Sequence, residues 1–144
     1  MKYSFHDKYK KLSPWWKFIR QEFELLEPHT ERGPIWGYSH EDDSVKITTN
    51  GFITVKSGFK WGASATTIDT KNSRRASCIH DAYFHLSDKG VFQGSKSDTI
   101  LQIVNLYMHE MLIQDGMSNW RAKMWYNALD KFSYLAWESI ENNK

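Results

Sequence analysis

Val45-Lys46-Ile47-Thr48-Thr49-Asn50-Gly51-Phe52-Ile53-Thr54-Val55-Lys56 is the stretch that decides the fold. Both arms are β-branched and alternate in polarity, the pattern of a half-buried strand. Asn50-Gly51 stands between them. Asn-Gly tolerates positive φ at both central positions of a two-residue turn, so the pair predicts a type I′ β-hairpin. An antiparallel hairpin is a local unit and needs no crossover helix. The remaining elements must therefore cover a small antiparallel sheet.

Upstream, Ser13-Pro14 is a good helix start, because Ser caps and Pro suits the first turn. Trp15, Trp16, Ile19, Phe23 and Leu26 follow at helical spacing, and Pro28 closes the run. This predicts a helix over 14–26. Residues 29–43 read as loop, with a short strand around Trp36–Ser39. Downstream, residues 58–70 are small and hydroxyl-rich and read as an ordered loop. Ala76, Ile79, Tyr83, Phe84 and Leu86 then predict a helix over 73–87. Ser97 caps a helix over 98–115, with Ile100, Leu101, Val104, Met108, Met111 and Leu112 inward, and Gly116 ends it as a left-handed cap. Ser118 caps a last helix over 119–140, with Trp120, Met124, Ala128, Leu129, Phe132, Leu135 and Ile140 inward. The sum is an α+β fold: an N-terminal helix, a small antiparallel sheet with a β-hairpin, then three C-terminal helices. The 144 residues read as a single domain, 1–144.

Bulk composition narrows the function classes. Lys and Arg number 19 against 17 Asp and Glu, a formal charge of +2. That balance ranks nucleic acid below a protein or small-ligand partner. A lone Cys78 excludes an intrachain disulfide and fits a buried, inert filler. No apolar run reaches the ~20 residues that span a bilayer, and the N-terminus lacks a signal-peptide core. No membrane association is expected. Seven Trp, seven Tyr and eight Phe make 15% of the chain aromatic, which excludes a disordered chain.

The densest polar cluster is His80-Asp81, with His85 one turn past Asp81 on the same helix face. Imidazole and carboxylate suit a divalent metal such as zinc, and a carboxylate can also orient an imidazole for acid–base work. Two such groups do not close a metal site, so Asp98, Asp69, Asp88 or His109 must supply more. The alternative is structural: a buried His80 bonded to a loop carbonyl, with Asp81 beside it. Ser64 offers a hydroxyl but sits in no nucleophile elbow. There is no phosphate loop, no Cys-x-x-Cys and no His-Glu-x-x-His. Trp61 lies in the loop next to this cluster, where an exposed indole could stack on a ligand.

Gly58-Phe59…Ala63-Ser64, Ile79-His80-Asp81-Ala82-Tyr83, Ser97-Asp98 and Gly116…Arg121-Ala122-Lys123…Tyr126-Asn127-Ala128 occur in this order. Together they resemble a family of phage and prophage proteins, domain-of-unknown-function family 1353. The resemblance runs from about Phe52 to Phe132. It implies a phage or prophage origin, with the host-cell cytoplasm or the virion as location, and no established reaction. Ser64, His80, Asp81 and Asp98 match family positions, and Tyr83 matches loosely. Family members carry an Asp shortly before the Ala-Ser pair and often a Pro after it. Here Trp61 stands about where that Asp belongs, and the Pro is missing.

Two functions follow. One is a non-enzymatic binder of a protein or small ligand, or a virion component, with Trp61, Tyr83 and His85 at the ligand; such a protein can form oligomers. The other is a metal-dependent, hydrolase-like protein. It would use His80, Asp81 and Ser64 catalytically and His80, Asp81 and Asp98 as metal ligands. An aromatic in place of an acid favours the binder.

Overall fold

The computed structural model of the chain describes residues 5–14, 21–62, 70–92 and 97–128, with the side chains of 97 and 98 outside that description. In chain order the strands are β1 (Tyr9–Lys11), β2 (Glu22–Leu25), β3 (His29–Arg32), β4 (His40–Glu41), β5 (Val45–Ile47), β6 (Phe52–Val55) and β7 (Lys60–Gly62). Helices α1 (Arg74–Asp88) and α2 (Ser97–Gln114) follow. Residues 119–128 are helical and are called α3. The strands form two antiparallel sheets, one ordered β1-β2-β7 and one ordered β3-β6-β5-β4. The fold is α+β with its helices mostly C-terminal, and two small sheets stand where one was expected.

The hairpin of β5 and β6 is present, in the register Val45↔Val55 and Ile47↔Ile53. All four of these side chains are buried, which fixes the register, since a one-residue slip would turn them to solvent. The turn differs from the two-residue form. Thr48 N–H donates to Phe52 O, and Gly51 N–H donates to Thr48 O. That leaves a three-residue loop with Gly51 at φ 91°, the variant that places one glycine in the left-handed region.

The expected helix over 14–26 gives way to a strand across its second half. Gln21-Glu22-Phe23-Glu24-Leu25 alternates, and β2 buries Phe23 and Leu25 completely while Glu22 stays outside. β2 is the central strand of its sheet, paired with both neighbours, so sheet hydrogen bonds replace helical ones. Leu26, expected inward, is exposed. Residues 15–20, the first half of that expectation, lie outside the described residues. Two further differences concern the loops. Residues 36–39 form no strand; the strands fall on either side, at β3 and β4. Lys60–Gly62, expected as loop, pairs with β2 through Phe23↔Trp61.

The helices follow their apolar spacing more closely. α1 buries Ala76, Ile79, Tyr83 and Leu86, and α2 buries Ile100, Leu101, Val104, Met108, Met111 and Leu112. At the end of α2, Gly116 takes φ 101°. Its N–H donates to Ile113 O, and Met117 N–H donates to Leu112 O. This is the paired C-terminal cap that a glycine permits. In α3 the buried residues are Ala122 and Trp125, while Trp120 and Met124 face solvent at 68% and 56% exposure. The expected inward stripe therefore lay on the wrong side. The part of that stripe beyond residue 128 lies outside the described residues.

Much of the aromatic content gathers in one cluster. Tyr9, Phe23 and Trp61 lie with ring centroids 5.5–5.6 Å apart, and Phe5 packs against Trp61 at 6.0 Å. Phe5 also meets the ring of His29 at 5.0 Å, which joins the three-stranded sheet to β3.

Candidate functional site

α1 carries His80, Asp81, Tyr83 and His85, and the helix sends them in different directions. His80 is buried and points to α2, where its Nε2 lies 2.9 Å from Asn105 Oδ1. Its Nδ1 is 4.0 Å from Asp81 Oδ1, too far for a hydrogen bond. One partner of His80 is thus a side chain of the next helix, Asn105. Asn105, buried and apolar-flanked on α2, carried no motif that would have singled it out.

Asp81 lies toward β7. Gly62 N–H is 3.4 Å from its Oδ2, and its side chain remains 40% exposed. His85 reaches the turn between β4 and β5, where its Nε2 donates to Asp42 Oδ2 at 2.8 Å. Asp42 also receives His40 Nε2 on the same oxygen, and the Ser44 and Val45 N–H groups on the other. Burial opposes the charge on Asp42, but these donors outweigh it and hold its carboxyl well below the usual range. Tyr83 is fully buried, and among the described residues its hydroxyl has no hydrogen-bond partner. A Cβ on Gly33 would come within 1.9 Å of that hydroxyl, so Tyr83 is a wedge beneath the β3–β4 loop. Cys78 is buried, and burial pushes its thiol up, as an inert filler requires.

Trp61 is 3% exposed and its indole N–H donates to Ser77 Oγ at 3.1 Å. The expectation of an open indole is not met, because alternation along β7 turns Trp61 into the aromatic cluster. Its neighbours on β7 turn outward. They border a cleft of about 410 Å³ lined by Leu12, Glu22, Lys60, Trp61, Gly62 and Asp81. Register explains the grouping: Glu22 stands opposite Gly62, and α1 brings Asp81 to the same edge. Of the expected site residues, the cleft unites Trp61 with Asp81. The side chains of Ser64 and Asp98 lie outside the described residues, and so does Asp69. Among the described residues, no group of three or more His, Cys, Asp or Glu side chains is placed to hold a metal ion.

A second polar cluster had no sequence signal at all. Glu31 on β3 accepts from His29 Nε2 at 2.6 Å, from Arg75 Nη1 at 2.9 Å and from the Tyr107 hydroxyl at 2.5 Å. Lys8 Nζ lies 3.2 Å from His29 Nδ1. Lysine can only donate, so Nδ1 accepts and Nε2 carries the hydrogen that Glu31 receives. Arg75 Nε also donates to Asp115, and its Nη2 to Gln114. These contacts join residues far apart in the chain, so spacing could not reveal them. They saturate one another's polar atoms and read as a structural clamp.

No family model, no curated protein and no solved structure matches this chain. No helix among the described residues is long and apolar enough to cross a membrane.

Proposed function

We propose that the protein is a non-enzymatic binder of phage or prophage type, and that the cleft between β7, β2 and α1 takes a small ligand carrying a cationic group. One observation carries this reading: the half-exposed Asp81 faces an open cleft, while His80 turns away from it to Asn105. An acid–base or metal pair would need both groups on one substrate. Among the described residues the cleft offers carboxylates and a lysine but no imidazole, a lining that suits holding a charged ligand. Glu22 and Asp81 outnumber Lys60 in the lining, which favours an ammonium- or guanidinium-bearing ligand. The resemblance to the phage family supports the origin, and Trp61 in place of the family's acid supports binding over catalysis.

Trp61 forms part of the wall, so tryptophan fluorescence can follow ligand entry. The test titrates the full chain with arginine and with spermidine. A saturable change is expected, and Asp81→Asn weakens it about tenfold or more by removing a charge-assisted contact. Titrations that stay flat, or that Asp81→Asn leaves unchanged, would sink the proposal.

A further inference from the structure

The outward face of the four-stranded sheet has a composition the cleft does not share. Cross-strand partners point to the same side, and the registers Thr30↔Thr54, Arg32↔Phe52, Lys46↔Thr54 and Glu41↔Lys46 put these residues on one face. Lys56, two residues past Thr54, continues it. The opposite face carries Val45, Ile47, Ile53 and Val55 into the core. Three cations therefore stand on the outward face against one carboxylate. That carboxylate, Glu41, is already occupied by Lys56 at 2.7 Å. Asp43 lies in the turn at the end of the sheet remote from Arg32.

At the other end is a stack of aromatic rings and guanidinium. The Arg32 guanidinium carbon lies 5.0 Å from the Trp36 ring centroid and 4.9 Å from that of Phe52. Trp36 is 54% exposed and Phe52 37%. The indole of Trp36 rests against Gly51, where a Cβ would come within 2.8 Å of its Nε1. The stack is thus held in place by the hairpin turn. The rings flank the guanidinium, and among the described residues its N–H donors make no hydrogen bond or ion pair. A preorganised arginine of this kind suits a phosphate oxygen, because its fork is oriented and not yet satisfied. The exposed ring faces suit nucleobases, which stack on aromatics with little regard to sequence.

We propose that this face binds single-stranded nucleic acid, with Trp36 and Phe52 stacking bases and Arg32 and Lys46 holding phosphates. The proposal is independent of the cleft. A sheet face with exposed rings and cations matches a single strand, whose bases can splay out. A duplex offers no unstacked base to such rings. The near-neutral charge of the whole chain had ranked nucleic acid low. The geometry shows that cations and rings are gathered on one face, which an average over the chain conceals.

The test is fluorescence anisotropy of labelled oligo(dT) and oligo(U), each of about 12 nucleotides, with the full-length chain at two salt concentrations. Neutralising two or three phosphates gives a log–log salt slope of about −1.4 to −2, so a fourfold rise in salt weakens binding roughly sevenfold to twentyfold. Trp36→Ala and Arg32→Ala each weaken binding at least tenfold, while Trp36→Phe retains most of it. Both positions are exposed, and thermal midpoints near that of the parent confirm that the variants are folded. The proposal is overturned by an unchanged anisotropy at low salt, by binding indifferent to salt, or by binding that Trp36→Ala and Arg32→Ala leave intact. Equal affinity for duplex DNA overturns the single-strand assignment. A concentration-dependent dimer that Trp36→Ala abolishes, without oligonucleotide binding, assigns the face to a second copy of the chain instead.

Discussion

Glu31 shows what a single side chain contributes. Burial would raise its pKa, but hydrogen bonds from His29 and Tyr107 and the charge of Arg75 outweigh burial and hold it at about 2, against an ordinary 4.5. The folded state therefore prefers the ionised form more strongly than the unfolded chain does. That preference stabilises the fold fully above about pH 4.5 and is lost as the pH falls toward 2. Its size is on the order of 3 kcal/mol. Glu31→Gln removes the charge while keeping the shape. Urea unfolding at pH 7 shows a loss of about 2–3 kcal/mol, and the parent's excess stability over the variant shrinks at pH 3. An excess equal at the two pH values sinks the assignment. Nothing in the local sequence His29-Thr30-Glu31-Arg32 announces this role, since its partners lie on α1 and α2. His80 is the converse case. Its burial was legible among the structural alternatives, whereas its partner Asn105 was not, because the packing of two helices decides which side chains meet.

At the scale of elements, β2 separates two readings of one stretch. Trp15, Trp16, Ile19, Phe23 and Leu26 fit a helical period, while Phe23 and Leu25 fit a strand. A helix would bury both Phe23 and Leu26. The strand buries Phe23 and leaves Leu26 at 46% exposure. Phe23→Ala should cost about 3–5 kcal/mol, the range for truncating a buried aromatic. Leu26→Ala should stay within about 0.5 kcal/mol, as surface substitutions do. Chemical denaturation of the two variants measures the contrast, and comparable losses would restore the helix. The hairpin and α2 were readable because a turn or a C-terminal glycine cap agrees with their residue period, and α1 because its apolar period runs along its length. β2 and β7 were not, because four-residue and three-residue strands offer too few positions to outvote a competing period. The stripe of α3 was misplaced for a related reason: Trp120, Met124 and Trp125 offer apolar residues on more than one side, and only the neighbouring helix selects among them. The site suffered likewise. Asp81 was legible as a candidate, but the cleft depends on the register of β7 with β2.

Across the whole molecule, α1 is the element both sheets share. It packs on β7 of one sheet and β5 of the other, while His85 ties it to the β4–β5 turn through Asp42. Arg75, at its start, binds Glu31 on β3 and Asp115 beyond α2. With Arg75 only 16% exposed, these pairs are largely withdrawn from water. Tyr107 adds a hydroxyl contact to the Arg32 carbonyl, which covers part of the outer edge of β3. Such an arrangement predicts that the two sheets unfold as one cooperative unit. Arg75→Ala leaves two carboxylates without their cation and should cost about 3–5 kcal/mol. Combined with Glu31→Gln, the loss should fall short of the sum of the single losses by about 1–3 kcal/mol, since the two residues share one network. Urea unfolding followed by tryptophan fluorescence and by far-ultraviolet circular dichroism reads both quantities. The two probes should coincide in the parent and in Arg75→Ala, with the midpoint lowered and the slope unchanged. A biphasic curve in Arg75→Ala would mean that the clamp alone joins the sheets and that the shared packing on α1 does not. Coincident curves place the coupling in α1 itself, with Arg75 adding stability to a unit already made whole by its packing.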